Sequence, residues 1–144
     1  MWYQKGEKGR TYIGRIPFRG DLLENIQEFA AREKISCARV EAIGAVEKAV
    51  ISYYNQDKRV YEDRHFDEHL EIMGCLGNLS LRDGKPAAHL HITLGDSEGS
   101  LKGGHLQKGT VVFAGEFVIE EIVGPELHRE YDPDTGLPLW KKDS

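Results

Sequence analysis

The sequence predicts an α+β fold, a single domain with one main helix and a mostly antiparallel sheet. One segment repeats apolar residues at helical spacing, several others are rich in β-branched and aromatic residues, and tight turns join these strand-like segments. The chain has 144 residues, 40% of them hydrophobic, so it can bury one core. Because no repeat or linker interrupts the sequence, we treat residues 1–144 as one domain.

The first strand and the helix are predicted near the N-terminus. Residues 12–18 form a strand-like segment that ends at a proline and a glycine. Asp21 is a suitable helix N-cap, and Glu24 three positions later completes a pair like a capping box. We expect the helix to run to about Lys34. Its apolar face consists of Leu22, Leu23, Ile26, Phe29 and Ala30.

The middle of the chain is predicted to be strand. Its segments are rich in valine, isoleucine and tyrosine, and the third is the weakest because charges interrupt it. The four predicted strands are residues 37–46, 49–55, 60–66 and 69–81. Gly74 and Gly77 inside the last of these indicate a bulge or a close approach of another backbone.

Turns and strands alternate through the second half. Asp83-Gly84 between two apolar runs is a strong hairpin signal. Strands are predicted over residues 87–94 and 110–123, with a turn over residues 95–99 between them. The tail, residues 124–144, holds three prolines and a turn at 132–136, and we expect an irregular wrap.

The last predicted strand is apolar on both sides, which one helix cannot cover. Its two sides consist of Phe113, Phe117 and Ile119, and of Val112, Ala114 and Val118. A subunit interface would supply the missing cover, so we expect an oligomer.

Charge argues against strong non-specific nucleic-acid binding, because the formal net charge is −5 and phosphate binding depends on lysine and arginine. The first 20 residues are nevertheless basic, with Lys5, Lys8, Arg10, Arg15 and Arg19 against Glu7. This end could contact a phosphate or a partner, or it could be a solvated terminus.

The N-terminus and the lack of a long apolar run predict a cytoplasmic protein. The N-terminus lacks the apolar stretch of a signal peptide, and no run approaches the ~20 apolar residues of a membrane helix. Cys37 and Cys75 lie in apolar segments outside any CxxC pair, so in such a reducing compartment we expect buried thiols and no disulfide.

Two histidines share one face of a predicted strand. In residues 87–94, apolar residues alternate with small or polar residues. His89 and His91 therefore point to the opposite side of the strand from Leu90 and Ile92. Two imidazoles one pleat repeat apart can both reach one zinc ion at ~2.0–2.1 Å. Taken alone, the pair could instead be hydrogen-bonded histidines that face a pocket without metal.

A third histidine can join this pair. If the chain reverses at residues 95–99, His105 returns beside the strand that carries the first two. The preceding Gly103 and Gly104 permit a turn with φ > 0 or a tight backbone approach. Three protein nitrogens leave a coordination position for water or a ligand, the pattern of an open zinc site.

Other polar residues are weaker candidates. Glu116 and Glu71 are candidate carboxylates for orienting a ligand or acting as a general base, or they are interface or edge charges. His65, His69 and His128 are interpreted as surface residues.

Several segments resemble the plants-and-prokaryotes-conserved (PPC) domain family, over about residues 9–123. The run from HLH to GGHL is the most specific of them. These segments are residues 41–46 (EAIGAV), 70–72 (LEI) leading to 77–80 (GNLS), 86–91 (PAAHLH), 103–106 (GGHL) and 116–119 (EFVI).

The resemblance implies a compact, barrel-like antiparallel fold that assembles as a homotrimer. In plants the domain follows AT-hook segments of DNA-binding proteins, and prokaryotic members usually stand alone and are labelled predicted DNA-binding proteins. This chain has no Arg-Gly-Arg-Pro hook. The order of His89, His91 and His105 also resembles the zinc ligands of acetolactate decarboxylase, whose reaction is not carried over.

Two functions follow as hypotheses. The first is a trimeric regulatory or interaction domain that contacts DNA or a partner and carries a three-histidine metal site. The second is a zinc-dependent lyase or hydrolase acting on a small carboxylate or carbonyl compound at that site.

Overall fold

The computed structural model describes residues 1–141 and confirms a mostly antiparallel α+β domain with one helix. The elements in chain order are β1 (Glu7–Ile16), α1 (Leu22–Arg32), β2 (Ala38–Asn55), β3 (Val60–Phe66), β4 (Leu70–Arg82), β5 (Lys85–Gly95), β6 (Leu101–Leu106), β7 (Val111–Val123), β8 (Arg129–Asp132) and β9 (Leu137–Trp140). No helix within residues 1–141 is long and apolar enough to cross a membrane.

The sheet closes on itself through one long strand. Strands are ordered β1-β7-β2-β4-β5-β6, and β6 then pairs with the second half of β2, where Ser52 lies opposite His105. The fold is therefore barrel-like, as expected. The two strands predicted for residues 37–46 and 49–55 are one strand, because register shifts between Ala45 and Lys48 let β2 bend without interrupting its pairing with β7.

The helix follows its sequence signals. Asp21 caps α1, with its Oδ1 accepting a hydrogen bond from the Glu24 backbone N–H at 2.9 Å. The helix ends at Arg32, two residues before the predicted end. Leu22, Ile26 and Ala30 are its buried face, so α1 covers the core side of the sheet.

The second half of the chain confirms one prediction and overturns another. The reversal predicted at residues 95–99 occurs at Asp96, whose Oδ1 accepts hydrogen bonds from the backbone N–H groups of Glu98 and Ser100, and Gly103 and Gly104 lie inside β6. The prediction of an irregular tail is wrong, because β8 and β9 form a hairpin. The predicted turn at residues 132–136 joins the two strands.

Within residues 1–141, the face of the sheet opposite to α1 is covered only near Ser80, where the β8–β9 hairpin packs on it. The sequence places Phe113 and Ile119 on the same side of the last strand. This is wrong, because register shifts near the start of β7 leave Phe113 57% exposed while Ile119 is buried.

Cys37 and Cys75 are buried and free, as predicted. Burial raises the pKa of the Cys75 thiol to about 12, so this thiol stays protonated at neutral pH.

Candidate metal centre

His89 and His91 share the outer face of β5, as the alternation predicts. Leu90 and Ile92 are buried on the opposite face of the strand. His91 is exposed and His89 is half-buried. Because the strand is anchored by its buried residues, the two imidazoles are held on one side of the sheet.

His105 reaches this pair from the neighbouring strand. The β5–β6 register puts His105 directly opposite His91. Neither Gly103 nor Gly104 has a positive φ, but a Cβ on Gly104 would lie 2.8 Å from the backbone oxygen of Ser52. Of the two roles open to the glycines, the structure therefore shows tight backbone approach, which lets β6 fit between β5 and β2.

The three imidazoles converge. One ring nitrogen from each of His89, His91 and His105 lies within 4.8 Å of the other two. Ring centroids are 5.0 Å apart for His89 and His105, 5.3 Å for His89 and His91, and 5.6 Å for His91 and His105. Ligand nitrogens of a tetrahedral zinc site are about 3.3 Å apart. Small side-chain adjustments would bring the three ligand nitrogens to that spacing.

His105 fits a metal ligand by an independent criterion. Its Nδ1 is buried and has no hydrogen-bond partner among the described residues. A buried polar atom without a partner destabilises a fold by about 1–3 kcal/mol. An ion held by this nitrogen would remove that penalty, so the residues present fit a transition metal.

The surroundings of His89 and His105 favour the neutral form of these two imidazoles. Burial, together with the charges of His89, His91 and Arg129, lowers the pKa of His105 to about 4. The pKa of His89 is also lowered, first by burial and then by Arg129 and His91. Because neutral imidazole is the form that binds a metal, these two rings need to lose no proton at neutral pH.

Two clefts meet at the histidines. The larger, of about 690 Å³, is lined in part by Asn78, His89, Arg129 and Trp140. The smaller, of about 300 Å³, adjoins His89, His105 and Arg129 together with Tyr61, whose ring centroid is 5.1 Å from that of His105. The cluster is therefore accessible to a small molecule from two sides.

Sequence reasoning missed Asn78, Tyr61 and Arg129. A signal existed for Asn78, because the Asp83-Gly84 turn fixes the β4–β5 register and places Asn78 opposite His89. Arg129 comes from the tail hairpin, which the sequence does not predict, so nothing indicated its position.

The predicted carboxylates lie elsewhere. Glu116 is on β7, three strands from β5, which is about 14 Å at normal strand spacing. Glu71 is on β4 opposite Gly95, about 13 Å along β5 from His91. Neither joins the cluster, which holds no carboxylate in the described part of the chain. The surface histidines are exposed as predicted, and they are His65, His69 and His128.

The fold and the site together define a class: a closed antiparallel domain with three convergent histidines on its outer face. The chain belongs to the Plants and Prokaryotes Conserved (PCC) domain family, whose family model matches residues 3–123. The β8–β9 hairpin lies beyond the matched residues.

Three solved structures share this fold. A metal-containing protein from Archaeoglobus fulgidus is 39% identical with a TM-score of 0.94, covering 99% of this chain and 100% of that one. A plant- and prokaryote-conserved protein from Pyrococcus horikoshii is 33% identical with a TM-score of 0.93, covering 100% and 99%. A candidate DNA-binding protein from Bacteroides thetaiotaomicron is 29% identical with a TM-score of 0.85, covering 94% and 96%.

A curated relative is much longer. The bifunctional protein GlmU of Synechococcus sp. (strain JA-3-3Ab) is 30% identical over 129 residues, which is 88% of this chain. The chain spans only 20% of the length of that relative and 17% of a second GlmU.

Proposed function

We propose that this protein binds a divalent transition-metal ion, zinc in the first place, through His89, His91 and His105, and presents it to a small-molecule ligand. The observation that supports this most strongly is the convergence of three imidazoles from two paired strands. The similar protein from Archaeoglobus fulgidus contains a metal, which supports the proposal. Such an ion lowers the pKa of bound water to about 7 or polarises a carbonyl oxygen.

The open character of the site supports ligand binding over a purely structural role. Structural zinc sites are closed by four protein ligands, whereas the described part of this chain supplies three. A zinc-dependent lyase or hydrolase is the enzymatic form of this proposal. The likeness to acetolactate decarboxylase remains a prediction, and we assign no catalytic role to Glu116 or Glu71.

Metal titration of two matched variants tests the proposal. His91→Ala removes one ligand, and His65→Ala removes an exposed histidine of β3 that lies outside the cluster. We expect calorimetry with Zn²⁺ to show one site per chain, weakened at least 100-fold by His91→Ala and unchanged by His65→Ala. Equal affinity of both variants and the wild type would refute the site.

We also propose that the chain assembles as a homotrimer through its uncovered sheet face. The large apolar residues exposed on this face are Ile13, Ile43, Met73 and Leu76. Leu76 is the β4 partner of His91, so the apolar face begins beside the metal centre. Exposed apolar side chains on one face of a sheet are typical of a subunit interface.

DNA binding is the second candidate function, favoured by the candidate DNA-binding relative from Bacteroides thetaiotaomicron. The basic residues predicted for that role are partly neutralised within the chain. Arg10 forms an ion pair with Glu121 at 2.7 Å, and Arg19 forms one with Glu47 at 3.2 Å.

A gel-shift titration with duplex DNA decides whether DNA is a partner. DNA binding predicts a shift at ~50 mM salt that weakens as salt rises and when Arg10, Arg15 and Arg19 are neutralised together. No shift at this salt concentration would exclude the candidate. Since the net charge is −5, we expect no shift.

A further inference from the structure

We propose that Arg129 is the anion-binding group of this site and that the ligand of the metal centre is a small organic carboxylate. This inference rests on the proposed metal site. It identifies the class of ligand from a residue outside the region that matches the family model.

Arg129 is held in place beside the histidines. Its Nη2 donates to Asn78 Oδ1 at 2.6 Å, and Asn78 lies opposite His89 in the β4–β5 pairing. Directly opposed residues of two strands have Cβ atoms about 4.5–5.5 Å apart. The guanidinium is thus tied to the side chain that neighbours a predicted metal ligand.

The remaining contacts of Arg129 fix its orientation. Its Nε donates to the hydroxyl of buried Ser80 at 2.9 Å, and its Nη1 donates to the Pro138 backbone oxygen at 3.2 Å. The Trp140 ring stacks near it, with its centroid 5.4 Å from Cζ, and its Nε1 donates to the same Ser80 hydroxyl at 3.0 Å. A guanidinium held this way loses little conformational freedom when it binds a ligand.

Arg129 retains unused donors and lacks a counter-ion. A guanidinium has five N–H groups, and these three hydrogen bonds leave one on each terminal nitrogen. Among residues 1–141, no carboxylate lies within ion-pair distance of this half-buried guanidinium. Two parallel N–H donors fit the two oxygens of a carboxylate.

The smaller cleft selects the size and charge of the ligand. Its volume of about 300 Å³ suits a molecule of a few carbon atoms. None of its described lining residues is acidic, and Leu137 and Leu139 give it an apolar wall. A divalent ion beside Arg129 would leave this cleft strongly positive, so an anion with a short carbon chain is the complementary ligand.

The experiment uses the full chain loaded with Co²⁺, whose visible spectrum reports on ligands that approach the ion. The probe is glycolate, and the control probe is glycolamide, a neutral compound of the same shape. We expect glycolate to perturb the Co²⁺ spectrum and glycolamide to bind at least tenfold more weakly. Equal binding of the two would overturn the proposal.

Three variants assign the effect. Arg129→Gln is expected to weaken glycolate at least tenfold while Co²⁺ affinity changes less than threefold. Arg129→Lys keeps the positive charge but lacks the two parallel N–H donors, so its affinity for glycolate should lie between those of the wild type and Arg129→Gln. Arg32→Gln removes a charge from a mostly exposed guanidinium that lines neither cleft, and should weaken glycolate less than threefold.

The outcomes separate this inference from the proposed function. Failure of the wild type to bind Co²⁺ would refute the metal site and this inference together. Co²⁺ binding with unchanged glycolate affinity in Arg129→Gln and Arg129→Lys would refute the role of Arg129 alone. Tighter binding of inorganic phosphate than of glycolate would overturn the assignment to a carboxylate.

Discussion

Burial from solvent affects His105 more than the other two histidines of the cluster. Its Nδ1 is buried without a partner, and burial is the main reason that its pKa is about 4. His91 by contrast is exposed. A site that combines a desolvated ring with an accessible one can hold an ion firmly and still admit a ligand.

The lowered pKa of His105 predicts a pH dependence of stability in metal-free protein. The unfolded chain takes up a proton on this residue near its ordinary pKa of 6.5, but the folded chain does so only near 4. The resulting stability is complete above pH 6.5 and is lost as the pH falls towards 4.

Urea unfolding with a chelator present measures this effect. We expect the midpoint of the wild type to fall between pH 7 and pH 4.5, and that of His105→Gln to fall less. Parallel curves for the two proteins would show that His105 titrates normally in the folded state.

The sequence predicts the histidines but not their neighbour Arg129, for a physical reason. Strand alternation sets the face of His89 and His91 locally, and one turn returns His105 beside them. The place of Arg129 depends on a hairpin anchored by distant contacts, such as the Tyr54 hydroxyl donating to the Thr135 backbone oxygen at 2.8 Å. No local pattern encodes such contacts.

At the scale of elements, the β4–β5 hairpin positions the site. A Cβ on Gly77 would lie 2.0 Å from the backbone oxygen of His89, whereas a Cβ on Gly74 would meet nothing within 4 Å. The sequence leaves two roles open for Gly74 and Gly77, a bulge or a close approach of another backbone. Gly77 has the second role, because the backbone of β5 approaches it closely.

Gly77→Ala and Gly74→Ala form a matched pair of variants within one strand. Gly77→Ala should displace the backbone at His89, lower the free energy of unfolding by about 1–3 kcal/mol and weaken Zn²⁺ binding. Gly74→Ala should change neither by a comparable amount. Chemical denaturation and calorimetry test both effects, and equal behaviour of the two variants would contradict this account of the hairpin.

The sequence predicts no strand at the position of β6. Its sequence, LKGGHL, has two central glycines and no clear alternation, so it favours a turn when read locally. Pairing with β5 on one side and β2 on the other makes it a strand. Non-local pairing overrides local preference here, as it does for the closure of the whole sheet.

At the scale of the whole molecule, the uncovered sheet face predicts the assembly. The helix covers one side of the sheet, and Ile13 and Ile43 on the other side are 82% and 57% exposed. The exposed face predicts an oligomer, and the resemblance to the PPC family implies a trimer, so we expect light scattering to give three times the chain mass of 16.3 kDa.

Two charge-introducing variants test which surface forms the interface. Ile43→Glu should dissociate the trimer, whereas Val60→Glu on β3, 47% exposed in the single chain, should leave it intact. A monomeric wild type, or a trimer that withstands Ile43→Glu, would contradict the proposed interface.

The convergence of three histidines on one ion is tested most directly by anomalous X-ray diffraction at the zinc edge, from crystals grown with one equivalent of Zn²⁺ per chain. We expect one strong peak per chain, ~2.0–2.1 Å from a nitrogen of each of His89, His91 and His105. No peak at this position, or a peak that His105 does not contact, would contradict it.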